Sequence, residues 1–128
     1  LADTLGTEIG SLYGRRPFSL LPVRRLDVGA AGAVSLPGIA AGLLGAAVIG
    51  AVGYFAGLFP ASAVAVVAVA GLSGSLAESV AQQLARQRGL SLDHDFANAF
   101  NTFAGALVAL EISLSIDARS LFLPIAGA

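Results

Sequence analysis

Cysteine, methionine, tryptophan and lysine are absent from the 128 residues of this chain, and charged residues of either sign are scarce. Without cysteine, the chain can form no disulfide and offers neither a thiol nucleophile nor a thiolate metal site. Its seven cationic residues are all arginine, and the net charge is −1. Such a chain has no basic surface for a polyanion, so nucleic acid is not an expected partner.

The shortage of charge indicates a membrane protein. Charged residues make up 12% of the chain, whereas about 25% is typical of soluble domains. The mean hydropathy is +0.84, and no charged residue occurs between Val28 and Ala77. A soluble domain this small would need more charged surface. We therefore expect residues 1–128 to form a single domain embedded in a lipid bilayer.

Three apolar stretches, at residues 36–59, 61–85 and 95–115, approach or exceed the length of about 20 residues that a bilayer requires. Residues 1–12 are predicted to be the end of a preceding helix, which the Gly-Arg-Arg-Pro sequence at 14–17 terminates. The prediction is an all-α, polytopic transmembrane bundle with about three complete spans.

The remaining segments are harder to assign. Residues 18–32 are predicted to be a loop, and residues 116–128 receive no assignment. Because the chain opens within a helix, we expect it to be the C-terminal part of a larger membrane protein. Its missing N-terminal half, or other membrane subunits, would then be its partners.

The first complete span is predicted to pack closely against other helices. Ser35 is placed to cap its N-terminus, and Pro37 falls in its first turn. Small residues then recur at every fourth position, at Gly38, Gly42, Ala46 and Gly50. Such a face allows close backbone packing between membrane helices.

Arginine marks one side of the predicted bundle. Six of the seven arginines lie in residues 13–27 and 86–94. Two spans separate these segments, so both segments lie on the same side of the membrane. By the positive-inside rule that side is cytoplasmic, and we expect the protein in the bacterial inner membrane.

Polar residues gather near the cytoplasmic ends of three predicted helices. Carboxylates near hydrocarbon are costly unless they line a wet cavity, bind a metal or meet a partner. The first helix carries Asp3, Thr4, Thr7 and Glu8 on one broad face. The second and third complete spans carry polar stripes of Ser75, Glu78 and Gln82, and of Asp95, Asn98 and Thr102. Carboxylates and amides with nearby arginines suit a hard cation such as Mg²⁺ with a bound phosphate.

Two further features bear on ligand binding. The small residues at positions 29–33 allow backbone N–H groups to approach a phosphate closely, although the segment could equally be a flexible connector. Phosphate oxygens could bind to Arg15, Arg16, Arg24 and Arg25, for which topology and lipid headgroups are the alternative explanation. His94 is interpreted as a solvated loop residue, and Glu111 as a residue outside the polar stripe.

Four short motifs occur in a fixed order. They are residues 2–10 (Ala-Asp-Thr-x-x-Thr-Glu-Ile-Gly), 28–36 (Val-Gly-Ala-Ala-Gly-Ala-Val-Ser-Leu), 74–79 (Gly-Ser-Leu-Ala-Glu-Ser) and 95–102 (Asp-x-x-Asn-x-x-Asn-Thr). This set resembles the C-terminal half of an integral-membrane family of unknown function, domain-of-unknown-function family 92, which includes a plant phytyl-phosphate kinase. The chain departs from the family pattern at Ala30, Ala33 and Glu78, where the family has Thr, Gly and Asp.

The resemblance implies an enzyme that phosphorylates an isoprenyl monophosphate, with Mg²⁺ and with CTP or ATP as the phosphate donor. The implied catalytic residues are Asp3, Glu8, Glu78 and Asp95, of which Asp3, Glu78 and Asp95 would bind the metal. The implied substrate-binding residues are Thr4, Thr7, Arg15, Arg16, Arg24, Arg25, Gly29, Gly32, Ser35, Asn98, Asn101 and Thr102.

Three functional hypotheses follow from these observations. The first is a membrane-embedded lipid-phosphate kinase. The second is a non-catalytic transmembrane subunit that packs into a larger complex through its Gly and Ala faces. The third is a transporter, in which intramembrane carboxylates carry ions or protons. It ranks last because no inverted repeat and no midplane charge are visible in the spans.

Overall fold

The computed structural model describes residues 1–116, which form four helices and one short hairpin. The elements in chain order are α1 (Ala2–Tyr13), β1 (Phe18–Leu20), β2 (Val23–Arg25), α2 (Leu36–Phe55), α3 (Ala61–Gln87) and α4 (His94–Ser115). Helix α3 lies between α2 and α4 and packs against both, while α1 packs mainly against α2. The unassigned segment at residues 117–128 lies outside the described residues.

Helices α2, α3 and α4 are each long and apolar enough to cross a membrane. The predicted all-α polytopic bundle with three complete spans is therefore confirmed. Helix α2 ends at Phe55, short of the predicted residue 59. Gly57 takes a left-handed φ of 73° there, and its N–H donates to the Tyr54 carbonyl. This hydrogen bond satisfies a carbonyl at the end of α2, and the turn into α3 begins there.

Small residues face inward and large apolar residues face outward in this bundle. The buried apolar set is mostly alanine, for example Ala46, Ala63 and Ala70. The exposed set on α4 is Phe96, Phe103, Leu107, Leu110 and Leu114, which lie along one side of the helix. A water-soluble bundle would bury these large side chains. The arrangement instead suits helices that pack on small residues and present large side chains to lipid.

Helix α1 approaches α2 at a row of glycines. A Cβ atom built on Gly38 would lie 2.7 Å from the carbonyl oxygen of Gly6, and one on Gly10 would lie 3.3 Å from the Gly38 Cα. Farther along α2, a Cβ on Gly50 would lie 3.1 Å from the Val64 carbonyl oxygen of α3. The small-residue face of α2 is therefore largely occupied by contacts inside this chain.

The prediction of a loop over residues 18–32 is wrong for its first half, where β1 and β2 pair as an antiparallel hairpin. The hairpin is fixed to α3 by two glutamines. Gln83 Oε1 accepts hydrogen bonds from the N–H groups of Leu20 (2.9 Å) and Leu21 (3.0 Å), and Gln87 Nε2 donates to the Leu21 carbonyl (2.8 Å). These contacts also place the two arginine-bearing segments at the same end of the bundle.

Candidate functional site

A cavity of about 270 Å³ lies between α1, the segment at residues 28–33, the last turns of α3 and the start of α4. Asp3 and Thr7 line it from α1, and Glu78 and Gln82 line it from α3. We call it the carboxylate cavity because Asp3 and Glu78 both line its wall.

Glu78 is the buried acid of the cavity, with 4% of its surface exposed. Its Oε1 accepts a hydrogen bond from Gln82 Nε2 at 2.8 Å, and its Oε2 accepts one from Asn101 Nδ2 at 3.0 Å. Gln82 lies one helical turn beyond Glu78, whereas Asn101 comes from α4. Amide donors at both oxygens fix the orientation of the carboxylate in a region where an unpaired charge would be costly.

Asp3 lies in the first turn of α1, where a negative charge is favourable to the helix dipole. Its Oδ1 accepts a hydrogen bond from Ser75 Oγ at 3.1 Å. Ser75 lies three residues before Glu78, so the two side chains share a face of α3. Because α1 packs near this face, Asp3 and Glu78 line the same cavity.

The segment at residues 28–33 forms the opposite wall, and Gln82 joins it to Glu78. Gly32 takes a left-handed φ of 73°, and its N–H donates to Gln82 Oε1 at 3.0 Å. Its carbonyl accepts a hydrogen bond from Gln83 Nε2. The N–H groups of Gly29 and Ala31 donate to no other described residue. Both residues line the cavity.

Ser35 and Thr7 also line the carboxylate cavity. The Ser35 hydroxyl accepts a hydrogen bond from the Gly38 N–H at 3.2 Å and lies 3.4 Å from the Gly10 carbonyl oxygen. This confirms Ser35 as the N-cap of α2 and gives its hydroxyl a structural partner. Thr7 is exposed, so its hydroxyl is accessible from the cavity.

Of the polar residues proposed on α4, only Asn101 contacts a carboxylate of the cavity. Asp95 and Asn98 are exposed and do not line it. Thr102 donates to the Asn98 carbonyl at 2.9 Å and, with Asp3 and Asn101, lines a second cavity of about 220 Å³. We call this second space the apolar cavity, because Ile49 and Val67 form part of its wall.

The other proposed site residues lie outside the carboxylate cavity. They are Thr4, Glu8, Arg15, Arg16, Arg24 and Arg25, all of which are exposed. Conversely, His94 lines the cavity as the first residue of α4, with its Nε2 at 3.3 Å from Asn98 Nδ2. His94 is exposed, as expected of a solvated residue, but it belongs to α4 and not to the preceding loop. No signal in the sequence pointed to this position, because His94 stands between the two exposed carboxylates Asp93 and Asp95.

Comparison of the sequence with known families identifies proteins similar to this chain. Residues 1–90 match the family described as "Integral membrane protein DUF92". The chain belongs to this family. The resemblance drawn from the four motifs is thereby confirmed, and so is the assignment to a membrane.

Proteins similar to this DUF92 chain come from a cyanobacterium, an archaeon and a plant. The chain is 30% identical over 112 residues to the uncharacterized membrane protein sll0875 of Synechocystis, and the match covers 88% of this chain and 43% of that protein. The uncharacterized membrane protein MJ0933 of Methanocaldococcus jannaschii is also 30% identical, and the match covers 87% of this chain and 46% of that protein. Protein VTE6, chloroplastic, of Arabidopsis thaliana is 31% identical, and the match covers 86% of this chain and 34% of that protein. The chain thus spans a third to a half of these relatives, and no solved structure matches it.

The donor atoms of the carboxylate cavity in this DUF92 chain fit Mg²⁺ only when a ligand supplies further oxygens. Within residues 1–116, no three His, Cys, Asp or Glu side chains form a group that could bind a metal by themselves. Mg²⁺ in phosphate-transfer sites is commonly bound by one or two carboxylates, with water and substrate phosphates completing its coordination. Asp3 and Glu78 match that pattern. Asp95, the third predicted ligand, lies away from them.

Replacing Glu78 with Ala is expected to lower the free energy of unfolding by about 2–4 kcal/mol, because the N–H donors of Gln82 and Asn101 would lose their acceptor. Glu111→Ala, at an exposed position of α4, is the matched control and should change the stability by less than about 0.5 kcal/mol. Thermal unfolding in detergent, followed by circular dichroism, measures both. Equal stability of the two variants would contradict the structural role of Glu78.

Proposed function

We propose that this DUF92 chain forms the phosphate-transfer site of a membrane-embedded isoprenyl-phosphate kinase. The observation that carries the proposal is the carboxylate cavity, which Asp3 and Glu78 line together with a small-residue segment, two of whose N–H groups have no partner among the described residues. Carboxylates opposite backbone amides can bind a cation and phosphate oxygens together. The motif resemblance to a family that includes a phytyl-phosphate kinase supplies the substrate class.

The proposed reaction needs little covalent help from the protein. An oxygen of the isoprenyl monophosphate attacks the γ-phosphorus of the nucleoside triphosphate, the bond from that phosphorus to the β-phosphate oxygen breaks, and a nucleoside diphosphate leaves. A phosphate monoester has a second pKa of about 6, so its attacking oxygen is already ionised at neutral pH. The site therefore requires positioning and charge stabilisation more than a general base.

Charge balance supports Mg²⁺ as the cofactor. None of the six arginines within residues 1–116 lines the carboxylate cavity, whereas two carboxylates do. A phosphate in that space would be repelled unless a cation lay between it and the carboxylates. Asp3 and Glu78 would bind the ion, which would neutralise phosphate charge. The N–H groups of Gly29 and Ala31 would bind phosphate oxygens from the other wall.

The apolar cavity supports a substrate with a hydrocarbon chain. Asp3 lines this cavity as well as the carboxylate cavity, so the apolar cavity begins at a residue proposed to bind the metal. Ile49 and Val67 offer a suitable surface to an isoprenyl chain. The arginine-bearing end of the bundle would face the cytoplasm of a bacterial cell under the positive-inside rule, where CTP and ATP are available.

The decisive experiment offers phytyl, geranylgeranyl and farnesyl monophosphates to the purified full-length protein in nanodiscs, with CTP or ATP. We expect an isoprenyl diphosphate that forms with Mg²⁺ and is lost when EDTA removes the ion. Mass spectrometry of the extracted lipids identifies the product. A folded, membrane-inserted sample that forms no diphosphate with any of these donors would contradict the proposal.

The hypothesis of a structural subunit gains no specific support from the packing. It relied on the Gly and Ala faces as surfaces for a partner, and the face of α2 that carries Gly38 and Gly50 already contacts α1 and α3. The outward faces of the described helices carry large side chains suited to lipid. Copurification of another membrane protein at fixed stoichiometry, without nucleotide binding, would revive that alternative.

A further inference from the structure

A separate pocket of about 110 Å³ lies between the hairpin and the last turns of α3. Arg24 of β2 and Arg86 of α3 both line it, together with Ser19, Gln83 and Gln87, and no Asp or Glu is among its described lining residues. We call it the arginine pocket. It shares one lining residue, Ala31, with the carboxylate cavity.

The two arginines converge because local geometry directs each of them to this space. Arg24 pairs with Ser19 across the hairpin, and paired residues of two strands point to the same face. Gln83, Arg86 and Gln87 are spaced i, i+3 and i+4, so they share one face of α3. The hydrogen bonds from Gln83 and Gln87 to the hairpin backbone hold the two faces against each other.

The charge of this pocket is unbalanced among the described residues. Two guanidinium groups around a small space repel each other, and solvent screening reduces this repulsion without removing it. Arg86 benefits from its position in the last turn of α3, where a cation is favourable to the helix dipole. That effect does not account for Arg24, which lies on a different element.

We propose that the arginine pocket binds a phosphate group. Arginine presents planar pairs of N–H donors that match phosphate oxygens. The amides of Gln83 and Gln87 each keep one N–H beyond the bond to the Gly32 or Leu21 carbonyl. A pocket of this size admits one such group, carried either by an anionic phospholipid or by a small soluble phosphate compound. The proposal is independent of the kinase activity, because it uses neither Asp3 nor Glu78.

The test compares two single variants of the purified full-length protein that remove the same charge at the end of α3. Arg86→Gln removes one of the two cations of the pocket. Arg88→Gln is the control, because Arg88 is also exposed but does not line the pocket. One arm titrates inorganic pyrophosphate in neutral detergent without Mg²⁺. The other arm uses native mass spectrometry to count phosphatidylglycerol molecules retained from mixed nanodiscs.

We expect at least about tenfold weaker binding in the pocket variant, and nearly unchanged binding in the control, for one of the two probes. Loss confined to phosphatidylglycerol identifies a headgroup site, and loss confined to pyrophosphate identifies a site for a soluble ligand. Wild-type protein that binds neither probe, or equal loss in both variants, would overturn the proposal. Unfolding temperatures without ligand verify that both variants are folded.

Discussion

Replacing Asp3 with Asn is expected to reduce diphosphate formation by about a hundredfold to a thousandfold while leaving the fold intact. Asparagine has the same shape, and its side-chain oxygen can still accept the hydrogen bond from Ser75. What it lacks is the negative charge proposed to bind the cation between protein and phosphate. The concentration of Mg²⁺ needed for half-maximal activity should therefore rise along with the loss of rate.

Asp27→Asn is the matched control for this experiment. Asp27 is exposed, lies in the segment after the hairpin and does not line the carboxylate cavity. The same chemical change there should leave both the rate and the Mg²⁺ dependence near their wild-type values. If Asp3→Asn retained full activity, the proposal that the charge of Asp3 binds the cation would be wrong. If its unfolding temperature fell sharply, the role of Asp3 would be structural, through Ser75.

The transmembrane helices could be predicted from the sequence because their signals are local. A run of apolar residues fixes a span whatever it packs against, and Ser35 identifies itself as a cap by its neighbours. The hairpin gave no such signal. Its N–H groups at Leu20 and Leu21 bond to Gln83, which follows more than 60 residues later. A three-residue strand stabilised by so distant a partner looks like a loop in the sequence.

The candidate site was predictable in its members on α1 and α3, and less so on α4. Asp95 and Asn98 share a polar stripe, but packing rotates that stripe about a quarter of a turn away from α3. The rotation is set by small residues, because Gly74 of α3 fits against Asn101 and Gly105 of α4. Asn101 therefore reaches Glu78. Periodicity identifies which residues share a face, whereas the direction of the face depends on contacts between helices.

Replacing Gly32 with Ala is expected to destabilise the wall of the carboxylate cavity more than the same replacement at Gly29, the other glycine of this loop with a left-handed φ. A Cβ atom there would overlap the Ser79 carbonyl oxygen and would lie 2.8 Å from Gln83 Cγ. The left-handed backbone conformation adds roughly 1–2 kcal/mol of strain for a residue with a side chain. Overpacking adds about 1–3 kcal/mol, so we expect a loss of about 2–5 kcal/mol in stability, measured by thermal unfolding.

Gly29→Ala separates the two contributions to this loss. Gly29 also has a left-handed φ, of 81°, but a Cβ atom there would have open space around it. Its replacement should cost roughly 1–2 kcal/mol, from backbone strain alone. If both variants lost the same stability, contact between Gly32 and α3 would not fix the loop. A larger loss at Gly32 would show that α3 sets the position of the loop, and with it the distance between the backbone donors and Glu78.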